Sequence, residues 1–93
     1  MAKKQPAKSD VYRMVQVERL GRVHTFTITH GALPADGAER NAFEGGFDTY
    51  VRHFNRGDVN LMEATPSHVR EVDAPAWSAG YAHARKQLAA GPQ

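Results

Sequence analysis

The chain has no cysteine and no long apolar run, and these absences exclude several classes of protein. Without cysteine it has neither a disulfide framework nor a zinc site built on thiolates. A membrane-spanning helix needs about 20 consecutive apolar residues, and no run in the sequence approaches that length. A length of 93 residues also argues against a two-domain enzyme, because domains usually run to about 100–150 residues. The composition therefore predicts one small cytoplasmic domain.

The charge is small overall but unevenly distributed along the chain. Twelve basic and ten acidic side chains give a formal net charge of +2. Residues 1–30 carry six basic and two acidic side chains, a balance of +4, whereas residues 31–93 carry six and eight, a balance of −2. This asymmetry predicts separate surfaces, with any surface for nucleic acid in the N-terminal third.

The first third of the chain predicts a tail followed by a β-hairpin. Residues 1–9 contain three lysines and little to bury, which is typical of a disordered basic tail, and they lack the apolar core of a signal peptide. Residues 10–18 and 22–30 alternate in polarity like strands joined by a turn. Two strands are marginal alone, so one face must pack on helices. The residues expected on that buried face are Phe26, Ile28, Met14 and Tyr12.

The rest of the chain predicts two main helices. Asp36 is a candidate N-cap for a helix that runs to about Arg56, where Gly57 ends it. A short helical turn through Val69 and Val72 follows, and the last helix is expected over residues 74–89. We therefore expect a single α+β domain over residues 10–90, with an N-terminal antiparallel hairpin packed on two helices.

The two helices share a short motif. Residues 43–47 (Phe-Glu-Gly-Gly-Phe) and 77–81 (Trp-Ser-Ala-Gly-Tyr) both have an aromatic residue, then a small residue and Gly, then another aromatic. Glycine inside a helix costs about 1 kcal/mol relative to alanine, so its use twice predicts close approach of another backbone. That backbone could belong to the other helix, a second subunit or RNA. The predicted close-packing motif consists of Phe43, Gly46, Phe47, Trp77, Gly80 and Tyr81.

This motif resembles the ribosome modulation factor family. Residues 77–84 (Trp-Ser-Ala-Gly-Tyr-Ala-His-Ala) are similar to the second helix of that family, and residues 44–47 are similar to its first. The resemblance implies a small bacterial protein that binds near the messenger exit region of the small ribosomal subunit and helps ribosomes pair in an inactive form. The family is strongly basic, has an Asn-Pro-Tyr type connector and lacks an N-terminal hairpin, and the present chain departs from it on all three counts.

No catalytic signature accompanies these features. The sequence has no nucleophile elbow, phosphate loop or dinucleotide-binding glycine pattern. None of the five histidines is paired at the i,i+4 spacing of a helical zinc site. We therefore expect no enzymatic activity, no cofactor and no metal site.

Two functional hypotheses remain. The leading one is a non-enzymatic RNA- or ribosome-associated regulator, bacterial or phage, in which arginines bind phosphates and stack on bases. The alternative is an inhibitor or adaptor that docks on a partner protein, as small phage accessory proteins do, through an edge strand and aromatic or arginine side chains. A homodimer is compatible with both. The candidate binding residues are Lys3, Lys4, Lys8, Arg13, Arg19, Arg22, Arg52, Arg56, Arg85 and Lys86.

Overall fold

The computed structural model describes residues 10–57 and 66–89 and shows a hairpin followed by two helices. The α+β architecture is therefore confirmed, and the predicted tail lies outside the described residues. The elements are strands β1 (Val11–Arg19) and β2 (Arg22–Thr29), a short 3-10 turn (His30–Ala32), helix α1 (Gly37–Arg56), a second 3-10 turn (Glu71–Asp73) and helix α2 (Ala74–Ala89).

The strands form an antiparallel ladder that buries one face against the helices. Val15 lies opposite Phe26, and Val17 lies opposite His24. Phe26 is 1% exposed, Ile28 is 0% exposed and Val17 is 8% exposed. The predicted burial of Phe26 and Ile28 is confirmed. Because opposed residues point to the same side of a sheet, β1 contributes its valines to this buried face.

The prediction that Met14 and Tyr12 complete the buried face is wrong. Met14 lies opposite Thr27 and is 57% exposed, and Tyr12 is 37% exposed. A two-residue turn fixes the register so that odd-numbered residues of β1 oppose even-numbered residues of β2. Phe26 therefore shares its face with Val15 and not with Met14.

A β-bulge alters the alternation at the start of β1. Val11 lies opposite Thr29 and Arg13 lies opposite Ile28, so Tyr12 is the extra residue. The shift places Val11 on the solvent side, where it is 54% exposed. It also lets consecutive residues of β1 turn toward α1.

The ends of α1 lie where the sequence predicts them. The Oδ1 atom of Asp36 accepts hydrogen bonds from the N–H groups of Ala38 at 2.9 Å and Glu39 at 3.1 Å. These bonds satisfy donors that the first turn leaves without an intrahelical acceptor. At the other end, Gly57 adopts a left-handed φ of 84°, and its N–H donates to the carbonyl of Phe54.

The two helices cross in backbone contact at Gly46 and Gly80. A Cβ atom built at Gly46 would overlap the carbonyl oxygen of Trp77 and lie 2.9 Å from the backbone nitrogen of Tyr81. A Cβ atom at Gly80 would overlap the carbonyl oxygen of Phe43 and lie 3.0 Å from its Cα. The contact is reciprocal, since each glycine receives a carbonyl of the opposite helix. Of the partners that the sequence leaves open, the other helix occupies both glycines.

Aromatic rings fill the space between this helix pair and the hairpin. The ring of Phe26 enters the stripe of α1, with its centroid 6.5 Å from Phe47, 6.3 Å from Tyr50 and 5.5 Å from Phe54. Tyr50 in turn makes an edge-to-face contact at 5.1 Å with Tyr81 of α2. Full burial of such side chains contributes about 1.5–3 kcal/mol each, so this layer holds the hairpin on the helices.

Adjacent glycines provide a matched test of the helix contact. Gly46→Ala is expected to lower the free energy of unfolding by about 3 kcal/mol, because its Cβ would force the two backbones apart. In Gly45→Ala the new Cβ would lie 3.6 Å from the Trp77 ring, an ordinary contact. That variant should be neutral or stabilised by up to about 1 kcal/mol, since it removes a mid-helix glycine. Urea unfolding followed by Trp77 fluorescence measures both, and equal losses would contradict the close contact.

Candidate functional site

The turn of the hairpin combines an unusual backbone with an exposed apolar side chain. Leu20 and Gly21 have φ values of 55° and 78°, and a two-residue turn of type I′ requires a positive φ at both central positions. Glycine adopts this conformation freely, whereas the Cβ of a leucine crowds the following carbonyl. The Leu20 side chain is 90% exposed. Contacts within the chain therefore do not compensate for the strained conformation.

Arginines flank this turn in the sequence and lie at the nearby end of α1. The guanidinium carbon of Arg19 lies 5.6 Å from the centre of the Phe54 ring. The Nη2 atom of Arg19 lies against Gly57, 2.8 Å from where a Cβ atom built on that glycine would be. Arg22 is opposite Arg19 across the turn and is exposed. Arg56, also exposed, ends α1 immediately before Gly57. The structure thus gathers three predicted binding residues at one end of the domain, and we call Arg19, Leu20, Arg22 and Arg56 the basic tip.

The solvent side of the hairpin carries further apolar residues. Val11 is 54% exposed, Met14 is 57% exposed and Val23 is 63% exposed. The polar side chains Gln16 and Thr25 are exposed between them. We call these five residues the outer face. The solvent side of an antiparallel sheet is ordinarily polar, and exposed apolar surface with a polar rim is typical of a contact site.

At Thr27, the outer edge of β2 is bonded by α2. The N–H of Thr27 donates to Oε1 of Gln87 at 2.8 Å, and Nε2 of Gln87 donates to the Thr27 carbonyl at 2.6 Å. His83 lies within hydrogen-bond distance of the same carbonyl, with Nε2 at 3.0 Å. The amide of Gln87 thus makes the pair of bonds that a neighbouring strand would make.

At the other edge, beside β1, backbone groups have no partner among the described residues. In an antiparallel ladder, the backbone N–H and C=O groups of two opposed residues either bond each other or both point away from the neighbouring strand. Met14 is opposite Thr27. Since Thr27 points away from β1, the backbone N–H and C=O of Met14 point away from β2. Gln16, two residues further along, points the same way. Within residues 10–57 and 66–89, no hydrogen bond reaches these groups from outside the hairpin.

Arg13 ties β1 to α1. Its guanidinium lies 3.3 Å from Oε1 of Glu44 and 2.9 Å from Oδ1 of Asp48. The hydroxyl of Tyr12 donates to the other carboxylate oxygen of Glu44 at 3.0 Å, and this bond raises the pKa of Tyr12 above its ordinary value. The structure therefore places Arg13 in an internal cluster, apart from the basic tip, although the sequence predicts it as a binding residue.

The remaining predicted binding residues do not join the basic tip. Arg52 donates to the hydroxyl of Thr49 at 3.4 Å and lines a groove on α1. Arg85 and Lys86 are exposed near the end of α2. Lys3, Lys4 and Lys8 lie outside the described residues. The described members of the predicted set thus lie in four separate places, counting the cluster of Arg13.

Histidines take part in packing. His24 contacts Phe54 edge to face at 4.7 Å, and Nδ1 of His53 lies 3.4 Å from the hydroxyl of Tyr81. Over the described part of the chain, no cluster of three or more histidine and carboxylate side chains is arranged to hold a metal ion.

A groove of about 590 Å³ separates part of α1 from residues 66–73. Its walls include Asp48, His68 and Asp73. Asp48 is paired with an arginine of β1, and Asp73 accepts a hydrogen bond from Nε of Arg70 at 2.8 Å. The first carboxylate therefore joins β1 to α1, and the second pairs within its own turn.

Comparison with known proteins identifies no relative. No protein-family model matches the chain, and neither the curated proteins nor the solved structures give a match. The resemblance to ribosome modulation factor thus stays an interpretation of the helical motif, whose glycines are accounted for here by helix packing. Among the described helices, none has the length and apolar character needed to cross a membrane.

Sequence reasoning missed Leu20 and the role of Gln87. A signal for Leu20 is present, because a two-residue turn favours Asn-Gly and this chain has Leu-Gly. Strand alternation also places Val23 on the solvent side. Nothing in the sequence indicates that Gln87 reaches a strand edge sixty residues away, since that contact depends on the crossing of the helices.

Removal of Arg13 tests its structural role. Arg13→Gln is expected to lower the free energy of unfolding by about 0.5–1 kcal/mol, because Glu44 and Asp48 would remain side by side without a counter-charge. Arg22→Gln is the matched control, since it alters an exposed arginine of the same hairpin and should change stability by less than about 0.5 kcal/mol. Urea unfolding measures both, and equal effects would contradict the assignment.

Tyrosine ionisation gives a second test. Hydrogen bonding to Glu44 raises the pKa of Tyr12, and burial raises the pKa of Tyr50, from an ordinary value of 10.0. As the pH rises, the unfolded chain loses these phenol protons before the folded chain does. The raised pKa values therefore stabilise the fold below pH 10, and this stabilisation is lost as the pH rises through the folded-state pKa values. NMR titration of the tyrosine ring carbons should show both midpoints above 10. Glu44→Gln should lower only that of Tyr12, and an unchanged Tyr12 midpoint would contradict the hydrogen bond.

Proposed function

We propose that this protein is a non-enzymatic cytoplasmic adaptor or inhibitor that docks on another protein through its hairpin. The observation that carries the proposal is the apolar solvent side of the hairpin beside an open strand edge. Met14 and Val23 supply apolar surface, and the backbone groups of Met14 and Gln16 have no hydrogen-bond partner outside the hairpin in the described part of the chain. A strand of a partner would bond that edge while its side chains cover the outer face.

The packing of the helices supports this assignment to the hairpin. The aromatic residues of the helical motif are buried within the domain, with Trp77 3% exposed and Tyr81 1% exposed. Gly46 and Gly80 are filled by carbonyls of the opposite helix. The partner surface that the sequence suggests on the helices is thus used for folding. The apolar side chains of the outer face are exposed and are not used in this way.

Composition also favours a protein partner. Methionine and arginine are enriched in protein interfaces, whose centres are apolar and whose rims are polar. The hairpin of β1 and β2 combines these types, with Met14 on the outer face and Arg19 and Arg22 at the turn. Unpaired RNA is usually recognised by aromatic rings that stack on bases, and the outer face has none.

RNA or ribosome association is the second candidate, and the basic tip favours it. Arg19 and Arg22 flank the hairpin turn, and Arg19 reaches the end of α1 next to Gly57. Arginines in such a place would contact phosphates. The resemblance of residues 77–84 to ribosome modulation factor agrees with this candidate. It differs from the first in its salt dependence, because binding that rests on phosphate contacts weakens steeply as salt rises.

Capture from nuclease-treated lysate of the source cells separates the two candidates. A stoichiometric protein partner is expected to remain at raised salt. Met14→Thr combined with Val23→Thr should weaken its capture roughly tenfold, because two apolar contacts are lost. Val72→Thr is the matched control, since Val72 is 68% exposed but lies outside the hairpin.

RNA association predicts different outcomes in the same experiment. The complex would disappear with nuclease or salt, and untreated protein would sediment with ribosomes on a low-salt sucrose gradient. Capture that the double variant and the control retain equally would also contradict docking through the outer face. Thermal unfolding of each variant verifies that the solvent-side changes leave the fold intact.

A further inference from the structure

We propose that Leu20 is the anchor of the docking contact and enters an apolar pocket with an acidic rim on the partner protein. This inference rests on the proposed function and assigns a specific role to the end of the hairpin. Leu20 combines a left-handed backbone conformation with an apolar side chain that is almost fully exposed.

Neither property of Leu20 benefits the isolated domain. Its φ of 55° is a conformation that asparagine or glycine adopts with less strain. Its side chain is 90% exposed, more than Met14 at 57% or Val23 at 63%. A residue that is strained and gains no burial within its own chain points to a contact made elsewhere. At the end of a narrow two-stranded hairpin, the leucine can enter a concave surface that a flat face cannot.

The surroundings of Leu20 identify the chemistry of the pocket. Arg19 is held by the ring of Phe54 close to Gly57, so the tip has a fixed position on the end of α1. Arg22 follows the turn, is exposed and adds positive charge next to the leucine. A pocket that accepts Leu20 therefore brings its rim against guanidinium groups, and carboxylates on that rim pair with them in bidentate geometry.

A protein pocket fits this tip better than RNA does. Arginines would bind phosphates as readily as carboxylates, but the most exposed large apolar residue of the described chain, Leu20, is aliphatic. It has no ring that could stack on an unpaired base. Burial of a leucine in an apolar pocket, by contrast, is favourable in proportion to the area removed from water. The leucine thus distinguishes the two partners that the arginines alone would both accept.

Leu20→Asn tests the proposal because its two effects have opposite signs. Asparagine suits the first central position of a type I′ turn, so the variant should unfold at a temperature roughly 4 °C higher than the wild type. The same variant should bind the partner at least about tenfold more weakly. Reduced binding together with increased thermal stability cannot result from misfolding. An unchanged or lower unfolding temperature would overturn the premise that Leu20 is strained for the sake of a contact.

Site-specific cross-linking identifies what Leu20 touches. A photoreactive apolar residue at position 20, with the same residue at Val72 as control, is irradiated in nuclease-treated lysate of the source cells. We expect a protein adduct from position 20 alone, which excess wild-type protein suppresses and excess Leu20→Asn does not. The cross-linked peptide should contain apolar residues flanked by aspartate or glutamate.

The remaining outcomes each overturn the anchor. They are a lack of any adduct, an adduct equally strong from position 72, and an adduct that Leu20→Asn suppresses as well as the wild type does. An adduct with nucleic acid in untreated lysate that nuclease removes supports the RNA candidate instead. If the Met14 and Val23 double variant loses the partner while Leu20→Asn keeps it, the proposed function stands and the anchor fails.

Discussion

Backbone contact between α1 and α2 at Gly46 and Gly80 determines the rest of this structure. Each glycine receives a carbonyl of the opposite helix, so the helix axes approach more closely than side chains would allow. The aromatic residues that flank the glycines are then forced to either side of the crossing. On one side, these rings form the surface on which the hairpin lies.

The hairpin depends on that surface, because two strands alone bury too little to be stable. Three different attachments fix it. Phe26 packs among the rings of α1, Arg13 pairs with two carboxylates of the same helix, and Gln87 of α2 bonds Thr27. Apolar burial supplies most of the free energy, whereas the ion pairs and the amide fix the position of the strands. The exposed end of the hairpin thereby acquires a defined orientation.

Local signals in the sequence predict the elements, and their relative arrangement needs the structure. Asp36 and Gly57 mark the ends of α1 because capping depends on nearby backbone groups alone. Burial of Phe26 follows from strand alternation, but the inner residues of β1 are set by the register of the turn. The glycine motif predicts that another backbone packs closely on each helix, but it does not identify that backbone. The sequence alone does not show that Arg13 is paired, because its partners are on α1 and come close only in the folded chain. The basic tip likewise depends on the position of the turn relative to the end of α1.

The bonds between Gln87 and Thr27 make the two edges of the hairpin unequal. Strand addition requires unpaired backbone groups, and at Thr27 these are already occupied by a side chain of the same molecule. A partner strand can add beside β1, but no further strand can add at Thr27 without displacing that amide. Strand addition beside β1 therefore leaves the bonds between Gln87 and Thr27 intact.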